Sequence, residues 1–180
     1  MKCWLSTRDD AVRVLRILGI DPGMAMMGWG VIEASDENLT AIEYGGLSTP
    51  ARWNTPERLR FLYEGVINII ERFDPAEVAV ELFVAKNLRT ALMVGQARGV
   101  AILAAANKGL PVYEYTPLAV KQRVSGYGRG EKRQIQEMVK IQLGLKNIPK
   151  PDDAADALAV AICHTGEIRL SRLLKNNLES

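Results

Sequence analysis

Ile17-Leu18-Gly19-Ile20-Asp21-Pro22-Gly23, followed by Gly28-Trp29-Gly30-Val31-Ile32-Glu33, is the stretch from which the fold is read. The apolar run begins at Val14-Leu15 and has the length of a buried strand rather than a helix. Pro22-Gly23 predicts a turn, and Gly28 to Glu33 predicts a returning strand. A third strand over about Leu39 to Leu47 completes an antiparallel meander. The first strand ends on a carboxylate, Asp21. The same grammar recurs in Val78-Ala79-Val80-Glu81, and Asp153-Ala154-Ala155-Asp156-Ala157-Leu158 places two more acids three apart at a helix start.

Outward from these strands the periodicity changes. Thr55-Pro56-Glu57 predicts a helix start with Thr55 as N-cap and Pro56 at the first helical position. Leu59, Leu62, Tyr63, Val66, Ile69, Ile70 and Phe73 then mark one buried face, and Asp74-Pro75 ends the helix. Glu77 to Leu82 reads as a short interior strand. An apolar helix follows over Arg89 to Asn107, stopped by Gly109-Leu110-Pro111. Val112 to Tyr115 is a fifth strand, Thr116-Pro117 opens another helix, and Ser125 to Gly130 is a Gly-rich loop before an amphipathic helix from Glu131 to Leu143. Asp152 or Asp153 caps the final helix. The order βββ-α-β-α-β-α-α-α predicts an α/β fold, a five-stranded mixed sheet with helices on both faces.

Length and composition limit the alternatives. A chain of 180 residues with 48% apolar side chains buries one substantial core. The expected organisation is an N-terminal extension without order over 1–13, one domain over 14–166, and a charged, frayed tail over 167–180. A net charge of +2 permits a nucleic-acid partner without arguing for one. Cys3 and Cys163 have neither metal-ligand spacing nor a disulfide framework, which fits a reducing cytoplasm. No run reaches the roughly 18 apolar residues of a membrane span.

The acids carry the chemistry. Asp21 before Pro22-Gly23 also suits a plain turn, and Asp153 also suits a helix dipole. Glu81 closes an apolar strand, where an unpartnered charge is costly. Asp153 and Asp156 share one helical face. Acids converging from strand tips and a helix face repel one another, which raises their pKa values unless cations neutralise them. All-oxygen ligands without Cys or His nearby suit Mg²⁺ or Mn²⁺. The leading expectation is a metal-dependent phosphoryl-transfer site. His164, the lone His, reads as a helix-end cation or a structural residue.

With Val80-Glu81, Ala85-Lys86-Asn87, Gly95-Gln96-Ala97-Arg98-Gly99-Val100-Ala101, Val120-Lys121-Gln122, Glu131-Lys132 and Asp153 to Ala159 in collinear order, the opening motif resembles that of the RuvC family of Holliday-junction resolvases. The resemblance covers about residues 14 to 165. It implies an RNase H-like fold, a homodimer, and divalent-metal cleavage of four-way DNA junctions in recombination and repair, leaving 5′-phosphate and 3′-hydroxyl ends. It also implies a RuvA-RuvB branch-migration partner. The family's metal-binding acids fall on Asp21, Glu81, Asp153 and Asp156. Two departures stand out: about a dozen extra residues precede the first strand, and Phe83 follows Glu81 by two positions where the family commonly has an aromatic at three.

The roles that follow are expectations of that resemblance joined to the residue chemistry. Two ions, Mg²⁺ or Mn²⁺, clamp a scissile phosphate, with Asp21 bridging them, Glu81 on one side and Asp153 and Asp156 on the other. Lys121 and Lys132, with Arg123, Arg129 and Arg133 nearby, hold the DNA backbone without reading sequence. Lys86 and Arg89 lie near the scissile phosphate, and Phe83 stacks on an unpaired base or belongs to the core. Ala91, Gly95, Gly99 and Ala101 permit close approach, to a second copy, to the sheet, or to both. Two rivals are an actin-like ATPase or sugar-kinase domain, suggested by the Asp21-Pro22-Gly23 turn alone, and a non-catalytic DNA-binding module on the same scaffold.

Overall fold

In the computed structural model, which describes residues 14–35, 38–82, 87–126 and 131–178, the apolar run before Pro22 forms strand β1 (Leu15–Asp21). Met26–Ala34 (β2) and Leu39–Ser48 (β3) complete the expected antiparallel meander. Glu77–Glu81 (β4) pairs parallel to β1, and Val112–Tyr115 (β5) pairs parallel to β4. The order is therefore β3-β2-β1-β4-β5, a five-stranded mixed sheet with β1 in the middle.

Alternation divides the strand side chains between two cores, as the two-residue repeat of a strand requires. Leu18, Ile20, Met27, Val31, Val78 and Val80 are buried against helices α1 (Thr55–Phe73) and α2 (Leu88–Asn107). Ile17, Ile32 and Ala79 face the other way, against α3 (Pro117–Ser125), α4 (Lys132–Gln142) and α5 (Asp152–Leu178). Burying each Leu, Ile or Val is worth about 1.5–3 kcal/mol, so both faces of the central strands must be covered.

Helix ends follow side-chain chemistry more closely than sequence pattern alone. The N-cap of α1 is Asn54 rather than Thr55: Asn54 accepts from the Glu57 amide at 2.9 Å, and its own amide donates to the Glu57 carboxylate at 2.8 Å. That reciprocal box satisfies two amides at once, which a cap at Thr55 would forgo. Asn87 and Thr116 cap α2 and α3 by accepting from Thr90 and Ala119 amides. Asp152 is already helical, so Asp152 and Asp153 both lie in the first turn of α5, where acids offset the helix dipole.

The last helix does not fray at Glu167, as its charge density predicts, but continues to Leu178. Glu167 is ion-paired with Arg123 of α3, and Arg169 donates to the Ser35 carbonyl at 2.8 Å. His164 is therefore inside α5, not near its end. It is buried, with Nδ1 against the Tyr115 hydroxyl and Nε2 against the Glu77 carboxylate, each at 2.6 Å. Burial holds its pKa below the usual value, against the pull of Glu77, so the ring accepts from Tyr115 and donates to Glu77 as a neutral group, not a cation. The expectation for residues 1–13 lies outside the described residues.

What seats α5 is the absence of side chains beneath it. A Cβ on Gly28 would collide with the Asp153 carbonyl, and one on Gly19 with the Ala157 carbonyl. The helix backbone thus rests on the bare surface of β1 and β2, and buried Ala154, Ala157 and Ala161 keep the approach close. Gly28→Ala or Gly19→Ala must push α5 outward. Each is expected to lower unfolding stability by about 2–3 kcal/mol, measured by urea denaturation with an unchanged m-value.

Candidate active site

β1 and β4 are parallel neighbours, so their C-terminal ends lie at the same edge of the sheet. Ile20 pairs with Val80, and the next residues on each strand are Asp21 and Glu81. Both acids lie on the α5 face, because Gly19 and Ala79 two residues earlier face α5 and its neighbours. Asp21 also pairs with Gly28, the residue pressed against the Asp153 backbone. Asp156 follows one turn further along α5. The sheet edge and the first turns of one helix thus bring four carboxylates together. Crevices at the carboxyl ends of parallel strands are the usual place for ligands in such sheets.

The electrostatics report the crowding. Burial, then the charge of Glu81 and of Asp156, pushes the Asp21 carboxyl up to about 8. Asp21 and Glu81 are hydrogen-bonded, and the sense of that bond keeps the proton on Asp21 with Glu81 accepting. Glu81 is raised as well, by burial and by Asp156, against the opposing influence of Asp21, Lys121 and Lys132. Asp156 is raised by burial, while Lys132 pulls it the other way. The ammonium of Lys132 lies 3.1 Å from an Asp156 oxygen. Partial burial works against the charge of Lys132, and Asp156 more than restores it.

Most of the expected site residues lie among the described ones. Asp21, Glu81, Asp153 and Asp156 come together, and exposed Lys121 and Lys132 border them closely enough to affect Glu81. Arg89 is exposed in the first turn of α2. Phe83, Lys86 and Arg129 lie outside the described residues. Two residues escaped the sequence reading: Lys150, whose ammonium is 2.6 Å from Asp152, and Asp152, which reads from sequence only as a cap. The Asp152-Asp153 doublet is the signal that one of the pair has another task.

All four carboxylates are hard oxygen donors without thiol or imidazole among them, which fits a divalent cation of the Mg²⁺ type. The raised pKa values of Asp21, Glu81 and Asp156 describe a site short of positive charge. Among the described residues, no three acidic, His or Cys side chains already stand at ion-holding distance of one point. The fit therefore rests on donor chemistry and on electrostatics.

The sheet order and its helical cover are those of the RNase H-like fold, a class built around acids on a central strand. Residues 17–164 match the family described as crossover junction endodeoxyribonuclease RuvC. The curated proteins of that name from Chloroflexus aurantiacus and Clostridioides difficile are 62% and 54% identical over 151 and 161 residues, covering 83% and 89% of this chain and 92% and 95% of theirs. The solved structure of Thermus thermophilus RuvC in complex with Holliday junction substrate superposes with a TM-score of 0.83 at 34% identity, covering 87% of this chain and 96% of that one. The yeast mitochondrial Holliday junction resolvase Ydc2, at 15% identity and a TM-score of 0.57, shares the fold. The chain belongs to the RuvC family of crossover junction endodeoxyribonucleases.

Folding forces Asp21 to keep a proton that the unfolded chain releases near the ordinary value of 3.8. Between that value and about 8 the folded state binds more protons, so metal-free stability falls as pH rises across this window. Asp21→Asn removes the penalty. Discounting for partial solvation, it is expected to stabilise the metal-free protein at pH 8 by on the order of 2 kcal/mol, several degrees in Tm, with the gain vanishing toward pH 4. Thermal melts in chelator across that range check it.

Proposed function

We propose that this chain is a structure-selective endonuclease that resolves four-way (Holliday) DNA junctions by divalent-metal-dependent hydrolysis of paired phosphodiester bonds, in homologous recombination and DNA repair. The observation that carries it is the convergence of Asp21, Glu81, Asp153 and Asp156 at one edge of an RNase H-like sheet. Family membership supports the substrate, since the relatives are named crossover junction endodeoxyribonucleases and the Thermus protein is described in complex with a junction.

Two Mg²⁺ or Mn²⁺ ions bound there would activate water and steady the leaving oxygen of an in-line displacement. Asp21, at the end of the middle strand and within electrostatic reach of the other three acids, would be a ligand to the ions, with Glu81, Asp153 and Asp156 completing the set. Once their charge is matched, the raised carboxyls lose their reason to hold protons. Lys121 and Lys132 supply backbone phosphate contacts, and Lys86 and Arg89 contact a phosphate near the scissile bond. Phe83 stacks on a base at the junction centre.

A junction has two equivalent strands to cut, and a two-fold dimer presents two equivalent sites. On α2 the residues fall into two sets. Ala97, Ala101, Ala104 and Ala105 are buried against the rest of the fold. Leu88, Leu92 and Leu103 are exposed, and Gly95 and Gly99 have open space where a Cβ would go. Such a stripe of apolar and side-chain-free positions suits a second copy of the same helix. The reading includes a RuvA-RuvB branch-migration partner and the cytoplasm. Among the described residues, no helix is long and apolar enough to cross a membrane.

Cleavage of a mobile synthetic junction in Mg²⁺ tests this reading. Asp21→Asn is expected to lower nicking by at least about 10³-fold while junction binding persists, since affinity comes mainly from Lys and Arg; efficient cleavage by that variant refutes the site. Lys121→Ala should weaken binding and reduce the slope of log affinity against log salt by about one.

The dimer surface is open to a separate check. Leu92→Glu is expected to convert the protein to a folded monomer in light scattering and to uncouple the paired nicks. A dimer unaffected by Leu92→Glu and by Leu103→Glu would place the interface elsewhere.

A further inference from the structure

The start of α5 carries a carboxylate that the reaction above does not use. Asp152 has one oxygen 2.6 Å from the Lys150 ammonium and the other 3.9 Å from that of Lys132. Lys132 is at the same time 3.1 Å from Asp156. Asp152 and Asp156 are one helical turn apart on α5, so they offer Lys132 two acceptors on the same side. Lys132 stands at the start of α4, followed by Arg133 and with no acid in that first turn. Positive charge is disfavoured there by the helix dipole, so the acids opposite, not the helix, account for its position. Its side chain is 58% exposed, and a long, exposed ammonium can change partners without backbone movement.

We propose that Lys132 is a built-in counter-ion that competes with the divalent cation for Asp156, and that Asp152 is the carboxylate onto which it transfers when the cation arrives. This rests on the reading of the four acids as a metal centre. An ammonium 3.1 Å from Asp156 Oδ2 takes up part of the lone-pair capacity that an ion would use and holds a positive charge beside it. Leaving it in place would set two cations against each other; expelling it to water would forfeit its ion pair. Asp152 lies within reach, and Lys150 engages the opposite oxygen, leaving the oxygen nearer Lys132 to receive it. Cation affinity is then set by an exchange within the protein. The same exchange carries the Lys132 charge out of the acid cluster toward solvent, where a DNA phosphate would meet it.

Calorimetric titration of the full chain with Mn²⁺, without DNA, tests the exchange. Lys132→Met is expected to tighten Mn²⁺ roughly threefold or more, the scale of losing one partly exposed ion pair. Lys132→Arg, which keeps the charge, should resemble the unmodified protein. Asp152→Asn should weaken Mn²⁺ in the unmodified chain and have much less effect when Lys132 is already Met. A general field effect of Asp152 gives equal losses in both backgrounds, so additivity in this double-mutant cycle overturns the transfer. Unchanged affinity in Lys132→Met overturns the competition. Asp21→Asn separates the two levels. If it abolishes Mn²⁺ uptake while Lys132→Met changes nothing, the metal-centre reading stands and this proposal falls. If the unmodified chain takes up no Mn²⁺, both fall.

Discussion

The contact between the first turns of α5 and the glycine surface of β1 and β2 is the constraint on which the site depends. Asp21 and Glu81 need only two parallel strands in register to stand side by side. Asp153 and Asp156 come from the far end of the chain and reach them only if a helix backbone can lie directly on the sheet. Gly28 and Gly19 make that possible, since a methyl group at either position would meet a carbonyl of α5. The chain gives up side-chain packing there and receives in return a helix placed by backbone contact, which is stiffer than contact between flexible side chains. Toward its C-terminal half α5 is tied again, through the buried His164 to Glu77 and Tyr115.

That placement creates a conflict of charge. Burial and mutual repulsion both oppose ionisation, and in the absence of a divalent cation the conflict is shared among a proton on Asp21, the ammonium of Lys132, and the influence of Lys121. These partial remedies also describe the function. A cluster needing external positive charge is poised to bind it, and the lysines around it stand where a phosphate backbone would run. In the proposed function the two basic residues serve opposite partners, carboxylates within the protein and phosphates outside it.

Much of this is legible in the sequence alone. The meander, the two strand-tip acids and the i, i+3 pair follow from local rules, because a short apolar run closed by a carboxylate has the length of a buried strand and a charge that must sit at its end. One misplacement was local: Asn54 displaces Thr55 as a cap because Glu57, three residues on, completes the box. The others depend on distant partners. The last helix persists beyond Glu167 because Arg123 and Ser35 hold it from other elements. For His164 the structure chooses the structural alternative, a neutral bridge rather than a helix-end cation, because the burial that lowers its pKa is tertiary. Asp152 read as a helix end because Lys132, which ties it to the acid cluster, comes from α4.

By itself, the sequence determined which residues could ionise, which runs would be strands or helices, and where their tips would carry acids; these depend on residue type and on periods of two and 3.6. Only the tertiary structure decided that four such acids share one edge, that α5 sits close enough to deliver two of them, and that one lysine lies between Asp152 and Asp156. The reason is range. Propensity and periodicity act over a few residues, whereas a carboxylate's pKa and partners are set by whatever the fold brings within about 6 Å, from any part of the chain.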